Sequence, residues 1–191
     1  MAITLPIDAE ANALLQRNPL ALLIGMTLDQ QIPFEKAFSS PYELVRRLGH
    51  EPTAQELADF DPEALTVIFA TPPALHRFPK ANAKRVQEVC QLLVDKYDGD
   101  AARLWGEAKT GQELFKRISE VPGFGKQKTQ ILIALLGKRY EVRPKGWREA
   151  AGDYGPDRTY KSVADIVDEP SLLKVRAYKK EMKAAAKAAK E

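Results

Sequence analysis

The strongest constraint in this chain of 191 residues is the run Val121-Pro122-Gly123-Phe124-Gly125, which sits between two segments of helical period within residues 113–136. Proline excludes helix at the residue before it, and two glycines one residue apart permit positive φ and close approach of another backbone. A helix must stop there, and it restarts at Lys126 with no Ser, Thr, Asp or Asn before it to cap the new end. The free N–H groups of the turn and of the next helix's first turn then point outward together, with the positive end of the helix dipole behind them. This predicts an anion site. Lys126 and Lys128 add charge suited to a phosphate backbone, a contact that fixes register without reading sequence. An ordinary helix corner needs only one capping glycine.

The remaining pattern is helical almost throughout, with no convincing period-two alternation of β-branched residues. It predicts an all-α fold of about ten helices, either one compact domain or two interleaved lobes. Pro19 opens an apolar helix through Leu20, Leu22, Leu23, Ile24 and Met26. Ser40-Pro41-Tyr42-Glu43 has the form of a capping box with proline at the first helical position, so a helix start is expected at Pro41. Thr53-Ala-Gln-Glu56 and Thr110-Gly-Gln-Glu113 repeat the signature, and Asp61-Pro62 opens another helix. Residues 79–97 form a longer amphipathic helix ended by Asp98-Gly99.

No apolar run reaches the length of a membrane span, and the N-terminus lacks a basic region followed by a long apolar stretch, so a cytoplasmic location is expected. Cys90, the only cysteine, falls at an apolar position of its helix and reads as core, which excludes disulfides and four-cysteine clusters. His50 and His76 have no metal-ligand partners at useful spacing, and no metal or other cofactor is expected. The formal net charge of +3 is unevenly placed: residues 174–191 hold seven Lys or Arg against two Glu, leaving residues 1–173 slightly acidic. That division reads as a main domain over 1–173 and a basic helical tail over 174–191. The tail is either a solvated helix or a polycation that strengthens nonspecific DNA contact through counterion release.

Three stretches in this order resemble the helix-hairpin-helix (HhH-GPD) DNA glycosylases of base excision repair, the superfamily that includes endonuclease III, the mismatch adenine glycosylase and the alkyladenine glycosylases. Residues 23–38 contain Asp29-Gln30-Gln31-Ile32-Pro33 and look like the family's early helix and loop, where a Gln-Gln pair faces DNA. Residues 75–85 are similar to the segment opening the long central helix, and residues 121–125 are the hairpin. The combination is sharper than the hairpin alone, which polymerases, ligases and nucleases also carry. Within it, the chain resembles the cluster-free, uncharacterised actinobacterial-type members. The resemblance implies a two-lobed helical fold and a monomer whose partner is double-stranded DNA containing a damaged or modified base. It further implies that the base is flipped and its N-glycosidic bond hydrolysed.

Carried over residue by residue, the family pattern departs at two places. The position of the Schiff-base lysine is Gln127, with lysines on either side, and one helical step turns a side chain by roughly 100°. Schiff-base lyase chemistry is therefore not expected, and monofunctional hydrolysis is. The family's aspartate position falls on Lys145 or Gly146. Glu149 and Asp153 are the candidate replacements, against the commoner role of either as a surface carboxylate. Gly123, Phe124, Gly125, Lys126, Lys128, Gln30 and Gln31 form the expected DNA contacts, the glutamines filling the space left by an extruded nucleotide. Trp147 and Tyr154 are the expected base pocket, with Tyr160 and Phe34 as further aromatic candidates. Without the aspartate, a binder of damaged DNA on the same fold is the alternative to an enzyme, and an all-helical protein scaffold is the reading outside DNA.

Overall fold

A computed structural model describes residues 3–190, and among these the regular elements are all helices, with one isolated bridge between Thr110 and Lys145. The elements are α1 (Ala9–Arg17), α2 (Pro19–Leu28), α3 (Phe34–Leu48), α4 (Ala54–Asp59), α5 (Pro62–Ala70), α6 (Pro79–Tyr97), α7 (Ala101–Gly106), α8 (Gly111–Ser119), α9 (Lys126–Arg139), α10 (Trp147–Ala150) and α11 (Glu169–Ala188). Short 3-10 turns lie at Gly152–Tyr154 and Val163–Asp165.

Two helices organise the rest because their sequences leave almost no polar face. Every residue of α2 after Pro19 is buried, and α1, α3, α6 and α7 pack around it. In α9, Thr129 and the run from Leu132 to Lys138 are buried under α8, α10 and both 3-10 turns. The amphipathic α6 carries Val86, Val89, Cys90 and Leu93 inward and receives α4 and α5. Cys90 is core, as its helical position predicts, and burial pushes its thiol pKa up to about 12. The apolar side chains of both groups form one continuous core. Tyr140, just after α9, ties them together by donating to the Leu15 carbonyl of α1 at 2.8 Å.

Most predicted starts are capped as expected. Thr53, Asp61 and Thr110 accept from the backbone N–H groups of Glu56, Ala64 and Glu113, and Asn18 accepts from Ala21 ahead of the Pro19 helix. Ser40-Pro41 is the exception: α3 begins at Phe34 and runs through Pro41 to Leu48. Phe34, Ala37, Phe38, Pro41 and Leu44 recur on one buried face, so core packing carries the helix through the proline despite its missing N–H. Ser40 caps nothing; its hydroxyl lies 2.8 Å from the Lys36 carbonyl and 2.7 Å from that of Leu75.

The basic segment from residue 174 continues a helix that starts at Glu169, where Asp168 and Ser171 form a reciprocal cap. Leu172 and Val175 anchor α11 in the core, and its last turns are exposed. No helix among the described residues is long and apolar enough to cross a membrane.

Candidate nucleic-acid interface

The hairpin has the geometry its sequence predicts. Gly123 adopts φ +85°, where a Cβ would be strained and would also lie 3.0 Å from the Arg85 guanidinium. Gly125 is different: it is extended, no described atom lies within 4 Å of where its Cβ would be, and it starts α9 with no capping side chain. Phe124 turns inward and is only 6% exposed, so it fixes the turn to the core rather than presenting a surface for DNA. Lys126 is exposed at the first position of α9.

Apart from the single-turn α10, the helices without a side-chain N-cap are α3, α6 and α9. The segments that lead into them are linked through one pocket. That pocket, of about 180 Å³, is lined by Gln30, Gln31, His76, Phe78, Asn82 and Arg85, and Arg85 in turn packs against Gly123 of the hairpin. The loop before α3 and the start of α6 thus share this pocket, and Arg85 links it to the hairpin that precedes α9.

Gln30 and Gln31 are exposed on the loop between α2 and α3, and Gln31 is held at φ +59°, a left-handed conformation unusual for a side-chain-bearing residue. His76 holds the loop. It is buried; its Nδ1 accepts from the Phe78 N–H at 3.1 Å, so its Nε2 carries the proton donated to the Gln30 carbonyl at 2.9 Å. Burial, reinforced by the cationic Lys128 and Arg77, lowers its pKa and keeps the ring neutral. Sequence reasoning weighed His76 only as a metal ligand; its signal, a buried histidine just before the Phe78-Pro79 helix start, becomes readable only once the Gln loop is placed against it.

The other expected site residues are dispersed. Gln127 donates to the Tyr154 hydroxyl at 3.0 Å, which leaves Tyr154 buried and already bonded. Trp147 packs on Gly137 in the last turn of α9, where even one added carbon would lie 2.3 Å from the indole. At roughly 1.5 Å per residue this is about 16 Å along the helix from Lys126. Trp147 lines a separate cavity of about 750 Å³ with Arg139, Arg143, Arg148 and Arg158, and Tyr154 is not among its lining residues. The two aromatics do not share a pocket. Glu149 is exposed on α10, and Asp153, whose side chain is 86% exposed, lies 3.8 Å from Lys161. Both are solvated carboxylates away from the Gln30–Arg85 pocket.

Lys128 is the larger surprise. It is half-buried rather than displayed on the hairpin, and its ammonium donates to the Thr27 carbonyl at the end of α2 at 3.1 Å. Burial lowers its pKa, and Asp29 opposes that shift. Asp29 itself, on no list of candidates drawn from the sequence, caps the C-terminus of α2 beside Gln30. Nothing in the sequence marked it, because only the fold brings α9 against the end of α2.

The profile of the HhH-GPD superfamily of base excision DNA repair proteins matches residues 24–190, from within α2 through the hairpin to the end of α11. The chain belongs to that superfamily. Neither the curated proteins nor the solved structures contain a significant match. As an HhH-GPD protein it has a glycosylase-like scaffold for DNA repair, and its hairpin is that of the superfamily.

Proposed function

We propose that this HhH-GPD protein binds duplex DNA containing a damaged or modified base, flips that nucleotide and hydrolyses its N-glycosidic bond. The observation that carries the reading is the pocket where the Gln30–Gln31 loop meets the uncapped start of α6, whose Arg85 packs on the hairpin before the likewise uncapped α9. Each uncapped start leaves donors that a phosphate would satisfy, and together they would hold a bent backbone while the glutamine amides enter the gap left by the nucleotide. Lys126, Gly123 and Gly125 contact phosphate in this reading, and Phe124 supports them from the core. Gln127 at the lysine position of Schiff-base members favours hydrolysis without a covalent imine.

A second reading is favoured by Lys145 and Gly146 at the family's aspartate position: a reader of damaged DNA that leaves the bond intact. A panel of duplexes bearing uracil, oxidised, alkylated and mismatched bases, developed with alkali or an abasic endonuclease, separates the two. Strand cleavage on one member supports the enzyme. Tight binding of a lesion duplex with no cleavage on any member supports the reader, and no duplex affinity at low salt removes both.

A further inference from the structure

We propose that Asp29 is the carboxylate that acts on the sugar of the flipped nucleotide and that Lys128 is its positioning residue, so that the hydrolytic centre lies between the end of α2 and the first turn of α9. The inference rests on the DNA reading above and names the group which that reading lacks.

Folding alone gives no reason for an aspartate here. Asp29 stands at the C-terminus of α2, where the helix dipole is negative and a carboxylate is disfavoured. It is half-buried, and its side chain accepts no hydrogen bond from any described residue. A half-buried carboxylate with no protein donor, at the wrong end of a dipole, is costly, and such costs are characteristic of sites selected for chemistry. Its neighbours are the ones a glycosidic substrate would meet. Gln30 follows it directly, and His76 fixes the Gln30 carbonyl at 2.9 Å. From α9, Lys128 crosses to the Thr27 carbonyl two residues before it, with Phe124 beneath the ammonium at 5.4 Å from the ring centroid.

The charges around the acid come from every side. Lys128 on α9 and Lys179 on α11 favour its ionised form, Glu35 on α3 opposes it, and burial, the largest influence, raises its pKa. Lys179 is placed by its contact with the ring of Phe34, 4.9 Å from its centroid, and Arg176 binds Glu35 at 2.6 Å. Lys128 also feels Arg85, which lowers its pKa further, and itself lowers that of His76. The result is a carboxylate whose pKa is raised by burial while two cations favour its ionised, basic form.

The step is a displacement by water. Water oxygen bonds to C1′ as the C1′–N bond breaks, and that bonding pair leaves with the base. The Asp29 carboxylate takes the proton released by the water and returns it to the departing base nitrogen, leaving an abasic hemiacetal and the free base. Developing positive charge on the sugar is stabilised by the same carboxylate.

A test needs no knowledge of the lesion. Affinity is measured for two otherwise identical duplexes, one with a neutral tetrahydrofuran abasic analogue and one with a cationic pyrrolidine analogue whose nitrogen replaces C1′. The wild type should prefer the cation by about tenfold or more, the worth of one charge-assisted contact. Asp29→Asn, isosteric and relieved of a desolvated charge, should keep its melting temperature and its tetrahydrofuran affinity and lose the preference. A preference that survives Asp29→Asn, or one abolished instead by Glu149→Gln or Asp153→Asn, overturns the assignment. Equal wild-type binding of both duplexes overturns it while leaving the DNA reading intact. Failure to bind either defeats the DNA reading and this one with it. For Lys128, the preference should set in at higher pH in Lys128→Met, because removing the cation raises the pKa of the acid; an unmoved onset denies it a positioning role. Borohydride trapping of a natural abasic duplex that is lost in Lys128→Met would show the amine itself attacking C1′ and would likewise overturn that role.

Discussion

At the scale of single residues, the two hairpin glycines are unequal, and this decides how each is used as a probe. Ala at Gly123 meets both a left-handed backbone and Arg85, so it should destabilise the fold by about 1 kcal/mol and confound a binding experiment. Ala at Gly125 meets nothing within 4 Å and an ordinary φ. Gly125→Ala should therefore melt like the wild type while losing duplex affinity, as anisotropy would report; retained affinity would show that no backbone comes close to it. The paired glycines were legible in the sequence, but their division into one structural and one accessible position was not, because Arg85 arrives from α6. His76 gives a second residue-scale expectation. Its lowered pKa means that the unfolded chain takes up a proton before the folded chain does. Stability from this group is full above about pH 6.5 and is lost as pH falls toward the depressed native value. His50, raised by its hydrogen bond to Glu56, titrates in the opposite sense. Thermal melts from about pH 7 to 5.5 should accordingly show a smaller acid loss in His76→Gln than in the wild type, with His50 unchanged in both.

At the scale of elements, helix identities were readable where local chemistry determined them and misread where packing did. Thr53, Asp61 and Thr110 cap the helices they announce, since a side-chain acceptor three residues before a free N–H is a local device. Ser40-Pro41 presents the same letters inside α3, and the apolar period that runs from Phe34 across Pro41 outweighs them. The segment after α9 was the least legible of all. Its return path depends on Lys138, whose ammonium is 2.7 Å from Asp165 and 2.8 Å from the Pro156 carbonyl, with Thr159 donating to the second Asp165 oxygen at 2.8 Å. Both charged side chains are about 5% exposed or less, a pairing across many residues that no periodicity announces. Lys138→Met would leave the Asp165 charge buried without its partner and should cost about 3–5 kcal/mol. The double change Lys138→Met with Asp165→Leu should recover much of that loss in denaturant melts, because the apolar pair removes both desolvation penalties.

At the scale of the whole molecule, the uneven charge noted in the sequence acquires a direction. Leu172 and Val175 seat α11 in the core, Arg176 and Lys179 pack against the start of α3, and Lys183 then borders a groove with Gln31, Ile32, Pro33 and Arg77. The basic helix thus lies beside the Gln loop, with Lys183 the tail cation that lines the groove. Counterion release links such geometry to a measurement: each phosphate neutralised contributes about one unit to the slope of log affinity against log salt. Arg77 and Lys183 are both exposed, so replacing the two with Ala should leave the melting temperature unchanged. The salt slope for an undamaged duplex should fall by about two units, and Lys126→Ala should remove about one more. Lys190, beyond the last turn of α11 and outside the groove, serves as the comparison within the same charged segment. If Lys190→Ala reduces the slope as much as Lys183→Ala does, the helix acts as a diffuse polycation and the groove has no particular claim on the phosphate. A loss at Arg77 and Lys183 that Lys190 does not share would place the duplex across the groove, with the Gln loop beneath it.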